Sequence, residues 1–448
     1  MTYPFGGRQT RRPLTQTVQR TTLALAALVT CVVARAEMTK PHSALPTAAS
    51  HSAAASPSVP LTLAGAVALA LERSPELAVT RAEVAAAQGA EEQAGLMPNP
   101  ELAASIEDTQ RRTRTTAVQV SQRLELGGKR QARVMAAHRG RAIAQARLEG
   151  LQAKIGAEVS ASFWEALAAQ ARLDQANALS QLAQQATDAA AKRVAAGKVS
   201  PVDETRARLA ASGVDLELAQ AQVELQIART RLAAHWGAME ALLPPLEGVL
   251  QVPEEVATVS LEERIEAAPE VVEARLEVAR RQALVDVERS RAMPDITVGL
   301  GVQRNNEIGR NQPLIGVSVP LPMFDRNQGN LREALAREDQ ARYALQATVS
   351  RLRAGAHVAL AQAQSARKQA LMIERELLPK AQSAYDAATN GFALGKFTFL
   401  DVLDAQRSLF QARGQHLKAV AESQRAAIDI GRILGMARTA PVTTQRTE

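Results

Sequence analysis

The sequence predicts a mainly α-helical protein built from two similar halves, each with a small β part. Three observations support this fold class. The segment Gly197-Lys198-Val199-Ser200, followed by Asp203, recurs 198 residues later as Gly395-Lys396-Phe397-Thr398, followed by Asp401. Hydrophobic residues make up 46% of the chain but aromatic residues only 3%, which suits long helices packed through small side chains. A short stretch of each half alternates apolar and polar residues, which is typical of strands.

The spacing of the repeat defines the predicted domain organisation. Solenoid units are about 20–50 residues long, so a spacing of 198 residues indicates a duplicated half-molecule. We assign residues 61–240 to the first repeat and residues 261–436 to the second. A linker at 241–260 joins them, and a polar tail follows at 437–448. Each repeat is predicted to contain a helix, a β-hairpin, a long helix and a return helix, in that order.

The N-terminus has the pattern of an export signal. Arginines precede an apolar run at 23–33, and Ala34-Arg35-Ala36 supplies a cleavage site, so residues 1–36 are predicted to be a signal peptide. Residues 37–60, rich in Pro, Ser and Ala, are predicted to form a flexible linker. Cys31 is the single cysteine and lies in the signal. We favour cleavage after Ala36, which leaves a mature chain without cysteine, although lipidation of Cys31 stays open.

Local signals place the elements of the first repeat. Ser74 is expected to cap a helix that runs to Leu96, with Pro75 at its first position. The strands are predicted at about 101–109 and 115–124, and the long helix from Gly128 to Ala196. Gly197 is expected to end that helix, and Ser200 to cap the return helix, with Asp203 acting as a capping-box acid.

The second repeat follows the same plan. Its strands are predicted at about 296–303 and 315–321 because apolar and polar residues alternate there. Its long helix is predicted over 331–394, where Pro379 is expected to bend it. Thr398 is expected to cap the return helix, which runs to about Leu434.

The predicted hairpins raise the question of whether the chain enters a membrane through its strands. No stretch after the signal reaches 18 uncharged apolar residues, so we predict no transmembrane helix. The predicted strands have about nine to ten residues, the length that crosses a bilayer when tilted. Four strands cannot close a barrel, and an open edge in lipid is costly. If the hairpins lie in a membrane, several chains must share one barrel.

Composition and motifs argue against several other functions. The net charge is +7, but both signs are interspersed along the helices, so we expect no nucleic-acid partner. The catalytic patterns G-x-S-x-G, H-E-x-x-H and G-x-G-x-x-G are absent from the sequence, so we expect neither an enzyme nor a bound cofactor. None of the six histidines has another at i+3 or i+4, so we predict no metal site.

Asp401 and Asp404 allow two interpretations. Residues three apart share a helix face. In one interpretation Asp401 completes the cap and Asp404 is simply solvated. In the other, carboxylates from several copies line one constriction, which would favour cations. The equivalent residues of the first repeat are Asp203 and Arg206, and Arg206 is expected to pair with an acid on a neighbouring helix.

Together these features resemble the TolC-type outer-membrane efflux proteins, whose duplicated units follow a signal peptide in the same way. The resemblance covers nearly all of the mature chain, and the two turn sequences are specific to it. It implies a homotrimer with one twelve-stranded β-barrel, to which each chain gives four strands, continued by an α-helical barrel through the periplasm. It also implies a pore constriction at Asp401 and Asp404. The tip where a periplasmic adaptor (membrane fusion) protein docks would comprise Gly197, Lys198, Val199, Ser200, Asp203, Gly395, Lys396, Phe397 and Thr398.

The resemblance has one departure. A tyrosine and an arginine that help to lock the closed tip in the best-known member correspond to Phe392 and Phe397 here. The resemblance therefore implies that this particular lock is missing, and it does not indicate how the tip closes.

Three further stretches resemble the cobalt–zinc–cadmium efflux branch of that family. They are 97–102, 124–130 and 324–330. This branch implies a passive exit duct for heavy-metal cations, working with the adaptor and a proton-driven, RND-type inner-membrane transporter. We expect strands among outer-membrane lipid, with Arg111-Arg112-Thr113-Arg114 in an external loop, and helices in the periplasm. The alternatives are the same channel exporting drugs or other organic solutes, and a soluble periplasmic coiled-coil scaffold.

Overall fold

The computed structural model describes residues 60–108, 110–197, 199–238, 243–255, 261–394 and 396–435. The predicted signal peptide at 1–36, most of the linker at 37–60 and the tail at 437–448 lie outside these ranges. Lys198 and Gly395 of the predicted tip also lie outside them.

The described elements follow one order in each half of the chain. In the first half they are α1 (Leu63–Arg73), α2 (Pro75–Ala94), β1 (Glu101–Glu107), β2 (Thr115–Leu124), α3 (Lys129–Ala195) and α4 (Pro201–Ala234). In the second half they are α5 (Leu261–Glu266), α6 (Pro269–Arg291), β3 (Ile296–Asn305), β4 (Arg310–Ser318), α7 (Gln328–Met372), a π-helical turn (Ile373–Leu377), α8 (Leu378–Ala393) and α9 (Phe399–Ile433).

The start of the first half differs from our prediction. We expected one helix beginning at Ser74, but α1 precedes it and begins at a Thr62 cap, whose hydroxyl accepts a bond from the Gly65 N–H at 3.2 Å. Ser74 occupies the N-cap position of α2, but its side chain makes no capping hydrogen bond. Its N–H instead donates to the carbonyl of Ala70 at 2.9 Å, so Ser74 also ends α1. The local signals at Ser74 and Pro75 therefore mark a break between two helices.

The four strands that the structure describes form one antiparallel sheet in the order β1-β2-β3-β4. The two halves join at its centre, where Val118 of β2 faces Val302 of β3. Strand β4 begins at Arg310, earlier than predicted, because polar residues before Leu314 pair with the end of β3. Strand β1 stops at Glu107, just before Asp108, whose φ is +65°. Strands β1 and β4 are the two edge strands, and no other described strand pairs with their outer sides.

The long helices are as extended as the sequence predicts. Helix α3 has 67 residues, which corresponds to about 100 Å. It packs against α4 of its own half and against α6 and α9 of the other half. Many of the buried residues of α3 and α4 are alanines, such as Ala183 and Ala207. Small buried residues let these helices approach closely.

Pro379 falls just after the π-helical turn at Ile373–Leu377, in the second position of α8. A proline inside a helix lacks an N–H and crowds the carbonyl four residues earlier. A π-turn carries one extra residue and so relaxes the hydrogen-bond ladder at this point. The long helix of the second half therefore continues past Pro379 through a widened turn.

The segment between the halves is packed rather than loose. Leu246 forms a parallel bridge with Leu61, and Leu243 and Leu246 lie in one apolar core with Phe163. Further along, the Gln424 side chain donates to the carbonyl of Gln251 at 2.7 Å. Residues 243–255 thus bind helices of both halves. Among the helices that the structure describes, none has an apolar stretch long enough to cross a membrane.

Candidate functional site

The first candidate site is the turn between α3 and α4. Gly197 has φ +67°, the left-handed conformation that glycine adopts most readily, and it follows the end of α3 as predicted. The Ser200 hydroxyl accepts a hydrogen bond from the Val202 N–H at 3.3 Å, and Pro201 takes the first helical position. Glycine and the cap together reverse the chain within a few residues.

The acid after this turn behaves differently from our expectation. We predicted that Asp203 would complete a capping box and that Arg206 would pair with a neighbouring helix. Instead the two residues pair with each other along α4, with 3.8 Å between the Arg206 guanidinium and the Asp203 carboxylate. They lie three residues apart, so a contact within the helix forms without any neighbour.

The turn between α8 and α9 contains a complete capping box. The Thr398 hydroxyl and backbone N–H both donate to the Asp401 carboxylate at 2.7 Å, and the Asp401 N–H donates back to the Thr398 hydroxyl at 3.3 Å. The hydrogen bond from the Thr398 hydroxyl, and to a smaller extent the bond from the Thr398 N–H, holds the pKa of Asp401 below its ordinary value. Asp401 therefore stays ionised at neutral pH and fixes the first turn of α9.

The residues before this cap fold back onto α8. The N–H groups of Lys396 and Phe397 both donate to the carbonyl of Gly391, at 2.8 and 3.3 Å. The Phe397 ring lies directly over Gly391, where a Cβ atom would overlap the ring. Glycine at 391 is therefore required for this placement of Phe397, a requirement that our sequence reasoning missed.

Asp404 lies one turn into α9, on the same side as Asp401. It is exposed, and its backbone carbonyl accepts a bond from the Ser408 hydroxyl. Among the residues that the structure describes, no donor or cation reaches the Asp404 carboxylate. Of the two acids predicted to line the constriction, Asp401 is bonded within the helix cap, whereas Asp404 is exposed and can meet a cation from solvent.

The two turns are brought together by a contact that our sequence reasoning missed. The guanidinium carbon of Arg193, near the end of α3, lies 4.6 Å from the centre of the Phe392 ring, near the end of α8. A cation over an aromatic face is attractive. Phe392 thus joins the ends of the two halves through Arg193. The two residues are 199 positions apart, so no local pattern indicates their contact.

A second cluster lies where the sheet meets the helices. The Lys129 ammonium binds the Asp295 carboxylate at 2.6 Å, and the Leu126 N–H donates to the same carboxylate oxygen at 3.3 Å. Gly127 has φ +70°, and a side chain there would collide with Met293. This cluster links the start of α3 to the residue before β3, and hence the two halves.

Asn327 has an equivalent structural role in the second half. It caps α7 in the left-handed conformation, with φ +60°. Its amide donates to the carbonyl and to the carboxylate of Glu288, at 2.9 and 2.7 Å. The motifs at 124–130 and 324–330 therefore shape the strand–helix junctions. In the described part of the chain, no three His, Cys, Asp or Glu side chains gather where they could hold a metal ion.

Comparison with known proteins agrees with this architecture. The model of the outer membrane efflux protein family matches residues 66–238 and again residues 261–436. The chain therefore belongs to the outer membrane efflux protein family. It is an outer-membrane channel protein with helices in the periplasm, and its family consists of channels rather than enzymes.

Its relatives include proteins of metal resistance. The cobalt-zinc-cadmium resistance protein CzcC of Cupriavidus metallidurans is 45% identical, over 84% of this chain and 90% of its own. The nickel and cobalt resistance protein CnrC of the same species is 31% identical, over 71% of this chain and 77% of its own. Among solved structures, the outer membrane protein VceC of Vibrio cholerae shares the fold, with a TM-score of 0.67 and 22% identity over 83% of this chain and 96% of its own.

Proposed function

We propose that three copies of this chain form one channel with a twelve-stranded β-barrel and a periplasmic α-helical barrel. The edges of the sheet carry this proposal, because β1 and β4 each have one side that no other described strand of the same chain pairs with. An unpaired edge in lipid costs several kcal/mol for each exposed backbone group, on the order of 2–7 kcal/mol. Pairing β4 of one copy with β1 of the next removes both edges, and three copies supply twelve strands.

The sheet surface fits a lipid environment. Exposed apolar side chains project from both edge strands and from the centre, among them Ile106, Leu300 and Ile315. The polar turn at 110–114, which contains Arg111, Arg112 and Arg114, joins β1 to β2 at one end of the sheet. In this arrangement those arginines face the headgroups of outer-membrane lipid.

The proposed cargo is a heavy-metal cation such as cobalt, zinc or cadmium. The 45% identity with a cobalt-zinc-cadmium resistance protein supports it. The channel would be the passive outer component of a tripartite system, with a periplasmic adaptor docked on the two turns and a proton-driven, RND-type transporter in the inner membrane. Turn residues available for docking include the exposed Lys396 and the left-handed Gly197.

Asp404 is the stronger candidate for the pore constriction. Its carboxylate is exposed and lacks a partner among the described residues, whereas that of Asp401 is bonded to Thr398. In a trimer, Asp404 would contribute three equivalent negative charges around one axis. A ring of carboxylates favours cations over anions.

Reversal potentials in planar bilayers test this constriction. We expect Asp404→Asn to lower the cation-to-anion permeability ratio several-fold. Glu247→Gln, which neutralises an exposed acid in the segment between the halves and outside α9, serves as the control and should leave the ratio unchanged. Equal ratios in the two variants would overturn the assignment of Asp404 to the pore.

Complementation of a deletion strain tests the cargo. The chain should restore growth on cobalt, zinc or cadmium salts and should leave sensitivity to organic drugs unchanged. Restored drug tolerance without metal tolerance would favour the alternative, in which the same channel exports organic solutes.

A further inference from the structure

The connection between β4 and α7 exposes a run of large apolar side chains. Its residues 319–324, which we call the apolar segment, are Val-Pro-Leu-Pro-Met-Phe in sequence. Leu321, Met323 and Phe324 are 78%, 68% and 90% exposed. Scattered apolar residues are normal on a protein surface, but a contiguous apolar run of this kind marks a site of interaction.

The apolar segment continues one face of the sheet. Side chains alternate between the two faces of a strand, and one face of β3 carries Val298 and Leu300, whereas the other carries polar residues and glycines. On β4, Ile315 pairs with Leu300. Val317 pairs with Val298, so these residues of β4 share the apolar face. Val319 is next in the same alternation, so one apolar row runs from the sheet into the segment.

The apolar face of the sheet, measured on β3, is shorter than a bilayer requires. It begins at Val302, because the next side chain on that face is the exposed Arg304, and it ends at Ile296, the first residue of β3. Val302 and Ile296 are six positions apart, which corresponds to about 20 Å along the strand. A strand tilt of about 40° reduces this to a height of about 15 Å, whereas the apolar band of an outer-membrane barrel is about 25 Å tall. The sheet therefore lacks about 10 Å of that band.

The apolar segment lies at the end of the sheet where this depth is lacking. Arg304 bounds the apolar face at one end, so the lacking part falls at the other end, next to the helices. Thr297 pairs with Ser318, so the segment starts level with the first residues of β3. Asn327 fixes its other end, because the Asn327 amide donates to the carbonyl of Glu288, near the end of α6. The segment thus runs beside the connection between α6 and β3, beyond the end of the sheet.

We propose that residues 319–324 lie in the inner leaflet of the outer membrane and complete the lipid-facing band of the barrel. This inference rests on the barrel proposed above and names phospholipid as the partner of the apolar segment. Arg326 is exposed two positions after Phe324, whereas the Asp325 carboxylate accepts the Asn327 N–H at 2.8 Å. An arginine beside apolar side chains in lipid extends its guanidinium to the phosphates at the membrane surface. The segment thus ends in a cation on its periplasmic side.

The backbone of the segment suits lipid better than pairing with another strand. Pro320 and Pro322 have no N–H group, and the Met323 N–H donates to the carbonyl of Leu321 at 2.9 Å. Few donors of the segment therefore lack a partner, and unsatisfied donors are what makes irregular backbone costly in lipid. The two alternating prolines also remove the donors that a neighbouring strand would use on that side. Lipid is thus the partner that the segment fits.

Spin labels on the full-length protein test this inference in liposomes of phosphatidylethanolamine and phosphatidylglycerol. The test variant is Phe324→Cys, and Ile315→Cys on the apolar face of β4 is the lipid reference. The matched control is Phe397→Cys, which replaces another exposed phenylalanine in the distant turn before α9. Each label is exposed to oxygen, which concentrates in lipid, and to a water-soluble nickel chelate. Unsubstituted protein, treated in the same way, measures any signal from Cys31.

We expect the ratio of oxygen to nickel collisions at position 324 to be several-fold higher than at 397 and close to that at 315. If Phe324→Cys fails to assemble, Leu321→Cys replaces it. A ratio at 324 equal to that at 397 would place the segment in water and overturn the inference.

Few collisions with either reagent at 324 would also overturn the inference, because protein would then cover the segment. In both cases a lipid-exposed label at 315 would leave the proposed barrel standing. A label at 315 that meets the nickel chelate as freely as the label at 397 would overturn the proposed barrel together with the inference.

Discussion

Neutralising Asp295 should destabilise the protein more than any comparable change at its surface. The Lys129–Asp295 pair joins the start of α3 to the residue before β3, with 2.6 Å between the ammonium and the carboxylate. Only 12% of the Lys129 side chain and 23% of the Asp295 side chain are exposed. The same carboxylate also accepts the Leu126 N–H. The variant Asp295→Asn keeps the shape but removes the negative charge.

The size of the stability loss depends on the Lys129 ammonium, which the substitution leaves without its charged partner. Removing one partner of a fully buried ion pair costs about 3–5 kcal/mol, because the other charge stays buried without compensation. Partial exposure lets water reach the Lys129 ammonium, and an asparagine oxygen can still accept the Leu126 N–H. We therefore expect Asp295→Asn to lower the free energy of unfolding by about 2–3 kcal/mol.

Urea unfolding in detergent, at one fixed protein concentration, measures this loss. The control is Glu273→Gln, which breaks another contact between the halves. Arg147 and Glu273 are also 2.6 Å apart, but their side chains are 56% and 36% exposed. An exposed pair contributes about 0–1 kcal/mol. The double variant Lys129→Met with Asp295→Asn should recover part of the loss because no unpaired charge remains.

Losses of stability for Asp295→Asn and Glu273→Gln that agree within about 0.5 kcal/mol, the usual range of surface substitutions, would contradict this prediction. A double variant less stable than Asp295→Asn alone would also contradict it. Either result would mean that burial does not set the strength of this pair.

Two other predictions concern the turns. Gly391→Ala should displace the Phe397 ring and speed tryptic cleavage at that turn several-fold. The control Gly414→Ala lies in open space on α9 and should stabilise that helix by about 0.5–1 kcal/mol without faster cleavage at the turn. Equal cleavage rates in the two variants would contradict this prediction. Because the pKa of Asp401 is lowered, its cap contributes fully above the ordinary value of 3.8 and is lost as the pH falls through the lowered pKa. Hydrogen exchange in the first turn of α9 should therefore rise below pH 3.8, relative to the first turn after Ser200; parallel exchange at both turns would argue against the cap.

The turns were predictable because their determinants are local. Gly197, Ser200 and Thr398 each act on the backbone within three residues, and the structure places all three as predicted. The strands were also predictable from their alternation of apolar and polar residues. The 67-residue helix was predictable because no proline interrupts it. Local signals were less informative at Ser74, where one residue ends a helix and begins another.

Contacts between the halves were not predictable in the same way. The pairing of Lys129 with Asp295, 166 positions apart, and the contact of Arg193 with Phe392, 199 positions apart, depend on how the two halves of the chain come together. Arg206 was expected to reach another helix, but a closer acid three residues away satisfies it first. These contacts depend on which residues of two packed elements lie side by side, and a single sequence does not predict that register.

The number of chains in the native particle tests the central claim most directly. Light scattering of the purified protein, corrected for bound detergent, gives the mass of the polypeptide component. Shared closure of the barrel predicts the mass of three mature chains, each smaller than the 47.8 kDa of the full sequence. A stable, folded particle with the mass of one chain would contradict the account, because four strands would then stand in the membrane with both edges open.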